Sequence, residues 1–379
     1  MPATGVGERI EEEADTVRVV VAPDGFKGTL TAPEAAAAIA DGWRRARPDD
    51  EVVLRPLADG GDSLCEVVAT DEDRWLDTEV VGPLGRPVTA RFLLRPDGTA
   101  VVASAAACGL DLVPEAERDP SRTTTYGVGQ LLLAAVDAGA HRILLGLGGS
   151  ATVDAGLGAL TALGFRPRVA DGSGLKIGGG ELHRLATIER TWVHDLGTVA
   201  VELLSDVTTP LLRAAEVFGP QKGASPAQVV QLTAALAHVA DVVERDLTGG
   251  VRLRDEPGTG AAGGLGYGLA AGMGASFTPG AARVAELVGL APALADADVI
   301  VTGEGRLDAT SMEGKVVGHV VERAADTDLP VLVVAGQVDD PGGHRLADTE
   351  SAAPGGPGPD PAAEVAAAAE RLAARWSAG

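Results

Sequence analysis

Short apolar runs rich in β-branched residues recur along this chain, separated by amphipathic stretches and glycine turns. Val17 to Ala22 reads V-R-V-V-V-A and stops at Pro23-Asp24-Gly25. Thr31 then sits where an N-cap belongs, with Pro33 and Glu34 behind it, and predicts a helix through Trp43. Val52 to Leu57 predicts a second strand, and the acidic glycine turn 58–63 leads into another helix. Strand, helix, strand, helix in that order predicts a parallel sheet. From Trp75 the pattern changes. Trp75 to Val81, Arg86 to Arg95 and Thr99 to Ser104 are strand-like runs joined by Gly82-Pro83-Leu84-Gly85 and Pro96-Asp97-Gly98. They predict an antiparallel meander, and with it a second domain or a large insertion.

Downstream, a helix over 123–138 feeds the apolar run Ile143 to Leu147, which ends in Gly148-Gly149-Ser150, and Asp154 is expected in the following helix. Residues 167–182 read as a hairpin or loop, and Val199 to Leu204 as a strand ending in Ser205-Asp206. Ser225 to Asp246 predicts a helix with proline at its first position and Val229, Leu232, Leu236, Val239 and Val243 on one face. Gly258 to Gly274 predicts a tightly packed helix. Val299 to Val301 predicts a buried strand that breaks at Thr302-Gly303 into a turn carrying Glu304, Arg306 and Asp308, before Gly314 and Lys315 open a helix. Val331 to Val334 gives a last strand with Ala335-Gly336-Gln337 behind it. Asp339 to Pro361 reads as a linker, and Ala362 to Trp376 as an alanine-rich helix.

With 379 residues the chain can hold two domains with real cores. Its formal charge of −23 argues against nucleic acid or an anionic membrane as partner. No unbroken apolar run reaches the roughly 18 residues of a membrane span, and the acidic N-terminus lacks an apolar signal segment, so a cytoplasmic location is expected. Cys65 and Cys108 have neither disulfide-framework nor zinc spacing. The acidic background also demands that any phosphate site be locally positive. Of 31 basic residues only Lys27, Lys176, Lys222 and Lys315 are lysines, and three of them lie in glycine-rich or turn-rich stretches.

One regularity stands above the separate motifs. Strand after strand ends in a glycine or acidic turn: Asp24, then Asp59 and Asp62, then Gly148-Gly149-Ser150, then Asp206, then Glu304. In a parallel sheet these ends share one edge, where ligands of open α/β sheets bind. Phosphoryl transfer needs such a set: glycine N–H groups and a lysine for phosphate, carboxylates for Mg2+, and one carboxylate for the acceptor's proton. The usual nucleotide fingerprints are absent. Gly258-x-Gly260-x-x-Gly263 follows charged residues and Pro257 instead of a strand, so helix packing explains it better. Ser150 is not in a G-x-S-x-G elbow.

Eight ordered motifs carry a resemblance. A-P-D-G-F-K-G-T-L-T-A (22–32), P-L-A-D-G-G-D (56–62), T-T-T-Y-G-V-G (123–129) and G-L-G-G-S-A-T-V-D-A-G (146–156) come first. S-D-V-T-T-P-L (205–211), V-F-G-P-Q-K-G-A-S (217–225), G-T-G-A-A-G-G-L-G (258–266) and V-T-G-E-G-R-L-D (301–308) follow. Over about residues 17–338 the chain resembles the bacterial glycerate kinase family, which phosphorylates D-glycerate with ATP. The resemblance implies a Rossmann-like, doubly wound parallel α/β domain built from both chain ends, 17–72 and 290–338, with a second α/β domain, 73–289, inserted. A disordered leader over 1–16 and a linker with a C-terminal helix over 339–379 complete the expected organisation.

The resemblance also gathers Lys27, Asp59, Ser150, Asp206, Glu304, Arg306, Asp308 and Lys315 around the cleft. Asp206 is then the expected general base, with Lys27 and Arg306 assisting; Glu304 and Asp308 are expected to hold Mg2+ directly or through water. Asp59, Ser150, Arg306 and Lys315 are assigned to the acceptor, with Arg306 clamping its carboxylate. Gly148, Gly149, Ser150, Lys27, Gly303 and Gly305 are assigned to the nucleotide. A small hydroxy acid, ATP and Mg2+ are the implied ligands, and the protein is expected to be a monomer or homodimer. Departures from the family pattern fall at Gly25, Asp62-Ser63, Val102 to Ala105, Val153, Ala155 and Thr209. They keep two alternatives open: a changed acceptor, or a ligand-binding protein with weakened turnover.

Overall fold

The computed structural model describes residues 16–26, 28–61, 63–194, 199–312, 315–339, 346–353 and 355–377. The expected leader, apart from Thr16, lies outside the described residues, as do Lys27, Asp62 and Gly314. In chain order the strands are β1 (Arg18–Val21), β2 (Glu51–Leu54), β3 (Arg74–Val81), β4 (Pro87–Leu94), β5 (Thr99–Ala103), β6 (Arg142–Gly146), β7 (Arg166–Val169), β8 (Leu185–Glu189), β9 (Ala200–Leu204), β10 (Ser276–Thr278), β11 (Val299–Leu307), β12 (Val331–Val338) and β13 (Asp348–Ser351).

Two sheets carry the architecture, and the fold is α/β. The first has five strands in the order β13-β12-β11-β1-β2, every pair parallel. The second has six in the order β10-β9-β6-β5-β4-β3, parallel from β10 to β5 and antiparallel across β5-β4-β3. The expected meander is therefore the antiparallel edge of a mostly parallel sheet. β7 and β8 form a separate hairpin.

Hydrophobic layering explains how the sheets meet. The helices Ala32–Ala46 and Pro361–Arg375 cover one face of the first sheet, where Ile39, Trp43, Val365 and Leu372 join Val19, Val301 and Leu332. The other face packs on the helices Leu64–Val68, Gly280–Leu287, Leu290–Ala295 and Val316–Ala325. That same apolar layer includes Leu93, Val101, Leu144 and Leu204 from the second sheet, so these helices lie between the two sheets. The far face of the second sheet is covered by Tyr126–Asp137, Leu157–Ala162, Pro226–Asp246 and Ala261–Met273. Pro226–Asp246 is long and apolar enough to cross a membrane by length and composition, but it buries Leu232, Leu236, Val239 and Val243 in this core.

Several local expectations are corrected. The strand expected to break at Thr302 runs on as β11 to Leu307, and β12 runs past Val334 to Val338, with Glu304 opposite Ala335 and Arg306 opposite Gln337. The glycines are there because the backbones touch. A Cβ on Gly303 would strike the Val334 carbonyl, and one on Gly336 the Gly305 carbonyl. The stretch read as a linker contributes β13, paired to β12 from Asp348 to Ser351. Asp154 precedes the helix Leu157–Ala162 instead of lying in it. The Gly258–Gly274 helix is interrupted at Ala262, Gly263 and Gly264, which take left-handed backbone where a Cβ on Gly263 would meet the Thr152 carbonyl.

Candidate active site

The carboxyl ends of both sheets converge on the loop that follows β2. Gly60 has φ +87° and lies against the end of β9, where a Cβ would meet the Leu204 carbonyl at 2.8 Å. Gly148, after β6, donates its N–H to the Gly60 carbonyl at 3.3 Å, and a Cβ there would strike the Gly61 Cα. Gly280, at the start of the helix Gly280–Leu287, is equally tight against the Asp59 carbonyl. Backbone-to-backbone contact at these points requires glycine, and it brings the loop after β2 against the ends of β6 and β9 and the start of the helix Gly280–Leu287.

Acidic side chains dominate the rim around this loop. Asp206 follows β9, is half-buried, and accepts a hydrogen bond at Oδ2 from the Ala281 N–H at 2.9 Å. Burial raises its carboxyl to about 6, with the Asp59 charge adding to the rise and the Ala281 and Gly280 amides opposing it. Asp24 follows β1 and is raised further, to about 8, first by burial, then by Asp59 and Glu304, against the Gly25 amide and Lys315. Its N–H donates to the Gly303 carbonyl at 2.8 Å, which ties the end of β1 to β11. Glu304 is also raised, by burial above all, although Ser311 and Lys315 pull it down. Its Oε1 is buried with no hydrogen-bond partner among the described residues. The Asp59 charge raises Asp24, Asp206 and Glu304 alike.

Other expected site residues lie further out. Arg306 is exposed on β11 and paired with Asp339, Nε to Oδ2 at 2.8 Å. Asp308 caps its own turn, accepting from the Thr310 N–H at 2.8 Å and hydroxyl at 2.6 Å, which holds its carboxyl below the usual range. Lys315, at the N-terminus of Val316–Ala325, donates to Thr310 Oγ1 at 2.9 Å and faces Asp24, Glu304 and Asp308. Gly303 and Gly305 belong to the β11–β12 ladder, not to a phosphate-cradling turn. Ser150 is buried and accepts from Lys222 Nζ at 2.9 Å. Sequence reasoning left Asp24 and Lys222 unassigned, although Asp24 ends an apolar run and Lys222 is one of four lysines.

A family model described as "Glycerate kinase family" matches residues 19–378. The chain belongs to the glycerate kinase family. It is therefore a phosphotransferase. The glycerate kinase of Haemophilus influenzae is 42% identical over 326 residues, covering 84% of this chain and 86% of the relative. The glycerate 2-kinase of Escherichia coli is 40% identical over 330 residues, 86% of each. A solved structure described as a candidate glycerate kinase 2 from Salmonella typhimurium LT2 superposes with a TM-score of 0.80 at 38% identity, covering 95% of this chain and 98% of that one.

Two departures from the usual glycerate kinase pattern can be placed physically. Ala155 keeps the left-handed backbone that glycine would adopt freely, with φ +53°, and its methyl is fully buried. Gly25 follows Asp24 and donates its N–H to Asp24 Oδ1 at 2.7 Å, a backbone contact that needs no side chain.

Beside Asp206 opens a cavity of about 660 Å³, also lined by Pro279, Ala281, Leu290, Pro292, His319 and Arg323. Its walls combine apolar residues with the ionisable side chains of Asp206, Glu286, His319, Glu322 and Arg323.

Proposed function

We propose that this enzyme transfers the γ-phosphoryl group of ATP to the 2-hydroxyl of D-glycerate, giving 2-phosphoglycerate and ADP. The observation that carries the reading is Asp206: a half-buried carboxylate raised to about 6, fixed by the Ala281 amide, at the edge of a cavity of about 660 Å³. In this reading Asp206 accepts the hydroxyl proton as the glycerate oxygen attacks the γ-phosphorus and the bond to the β-γ bridging oxygen breaks. The cavity beside Asp206 receives the adenosine part. The 148–150 loop and Lys315 meet anionic oxygens, and Lys27 is expected to join them. The choice of the 2-hydroxyl is supported by the Escherichia coli relative, a glycerate 2-kinase.

The residues present fit a divalent cation in one respect. Glu304 offers a buried, unpartnered carboxylate oxygen, the donor type that magnesium prefers. Among the described residues no group of three or more His, Cys, Asp or Glu side chains is arranged to hold a metal, so phosphates and water would supply the other ligands. Asp308 has one oxygen committed to Thr310, which favours Glu304 over it. A bound Mg2+ would neutralise charge on the phosphates. The protein's own contribution is to hold Glu304 oriented and Asp206 close to its ionisation range.

The test is ADP release from ATP with D-glycerate, coupled to a spectrophotometric readout, with phosphorus and proton NMR of the product. Formation of 2-phosphoglycerate supports the reading. A 3-phospho product would overturn the choice of hydroxyl, and no turnover with D-glycerate would overturn the acceptor.

A further inference from the structure

The G-G-S-A-T loop after β6 rests on a buried ammonium group. Lys222 is 3% exposed, and its Nζ donates to Ser150 Oγ at 2.9 Å and to the Thr152 carbonyl at 2.8 Å. The lysine comes from a distant segment. It ends the 3-10 turn Pro220–Lys222, and Gly223 takes φ +93° directly behind it, packed on the Arg118 carbonyl. Both hydrogen-bond partners of the ammonium are neutral oxygens, and it also lies 6.0 Å from the centroid of the Phe218 ring. The nearby Asp154 is committed elsewhere, accepting from the Thr125 amide and hydroxyl and from the Gly156 amide. Burial lowers the Lys222 pKa to about 8, with Cys108 and Asp154 opposing the fall, so the group still keeps most of its charge at neutral pH.

A buried cation with neutral first partners is costly to maintain for packing alone. Its geometry has a chemical consequence. The ammonium donates into Ser150 Oγ, so the hydroxyl must turn its own hydrogen to another side, because two donors cannot face each other. The adjacent positive charge also strengthens that hydroxyl as a donor. The second bond, to the Thr152 carbonyl, fixes the strand of backbone on which Ser150 stands.

We propose that Lys222 is a positioning residue for the reaction: it holds the 148–152 loop and directs the Ser150 hydroxyl toward an anionic oxygen of the bound reactants. This rests on the glycerate-phosphorylating reading above. The oxygen belongs either to the acceptor's carboxylate or to the nucleotide's terminal phosphate, and kinetics separates the two.

The experiment is steady-state kinetics on the full chain, varying D-glycerate and ATP independently, for wild type, Lys222→Met, Ser150→Ala and the double variant. Lys222→Met keeps the length of the side chain and removes the charge. Each single variant is expected to raise one KM about tenfold or more, the magnitude of a lost charge-assisted hydrogen bond. A rise in the D-glycerate KM assigns the carboxylate, and a rise in the ATP KM assigns the phosphate. The double variant should be no worse than the worse single one, because Lys222 acts through Ser150. Additive losses, or Lys222→Met with both KM values unchanged, overturn the proposal. If Lys222→Met does not fold, Ser150→Ala decides alone: unchanged KM values for both substrates overturn it. A wild type inactive on D-glycerate would instead defeat the reading of the reaction.

Discussion

Asp24 and Asp206 carry the same functional group on the same rim, yet burial and their neighbours separate them by about two pH units. Asp206 has to be ionised to accept a proton, so kcat/KM for D-glycerate should fall as pH drops through about 6. Asp206→Asn removes the acceptor and is expected to lower kcat by about 10²- to 10⁴-fold, with that acid limb gone from whatever activity remains. Retention of full kcat would eliminate this residue as the base. Asp24 leads to a stability prediction. Its folded carboxyl ionises near 8 against an ordinary 3.8, so the folded state holds the proton more tightly than the unfolded chain. Stability is therefore favoured at low pH and erodes as pH climbs from about 4 to about 8. The melting temperature of Asp24→Asn relative to wild type should rise across that window and then level off, and a constant gap would refute the burial of this charge. Neither shift was visible in the sequence. Both acids could be found at strand ends, but which one is desolvated depends on what packs over it.

Periodicity located the elements well, because a period of two or 3.6 residues directly marks which side faces the core. Thr31 caps its helix with a complete capping box to Glu34, and Ser225 does the same with Gln228. Glycine was the weak sign. At Gly303 and Gly336 it signalled close strand contact; reading a turn at Gly303 cut β11 short, and ending the last strand at Val334 cut β12 short. β13 was missed because four half-buried residues, D-T-E-S, carry no apolar pattern; the strand exists through its pairing with β12. Close contact also decides the standing of the C-terminal helix. Gly42 lies in Ala32–Ala46 where a Cβ would strike the Ala366 carbonyl of Pro361–Arg375. Gly42→Ala should destabilise the fold by about 1–3 kcal/mol, since overpacking outweighs the gain in helix propensity. Chemical denaturation would show this as a lower midpoint, and an unchanged midpoint would mean that the C-terminal helix contributes little.

Across the molecule, the candidate site depends on two sheets presenting their carboxyl ends to one loop. Gly148 is one of the contacts that join them, set against Gly60 and Gly61. Gly148→Ala would push the Asp59 loop away from the 148–152 loop, and misplacements on the order of an ångström cost about a hundredfold in rate. Assayed well below its own melting temperature, this variant should lose roughly that factor in kcat/KM. Full activity would show that the two loops need not touch. With a formal charge of −23, cations near the rim such as Lys315 and the buried Lys222 carry unusual weight for binding anionic ligands. By itself the sequence determined the α/β class, most strand and helix positions and the motif set of a glycerate kinase, because these are written in local periodicity and in short contiguous runs. Tertiary structure alone decided that β11 continues through its glycines, that Asp24 and Asp206 ionise differently, and that Lys222 sits beneath Ser150. Each of these depends on desolvation or on contact between segments far apart in the chain, and no local pattern encodes that.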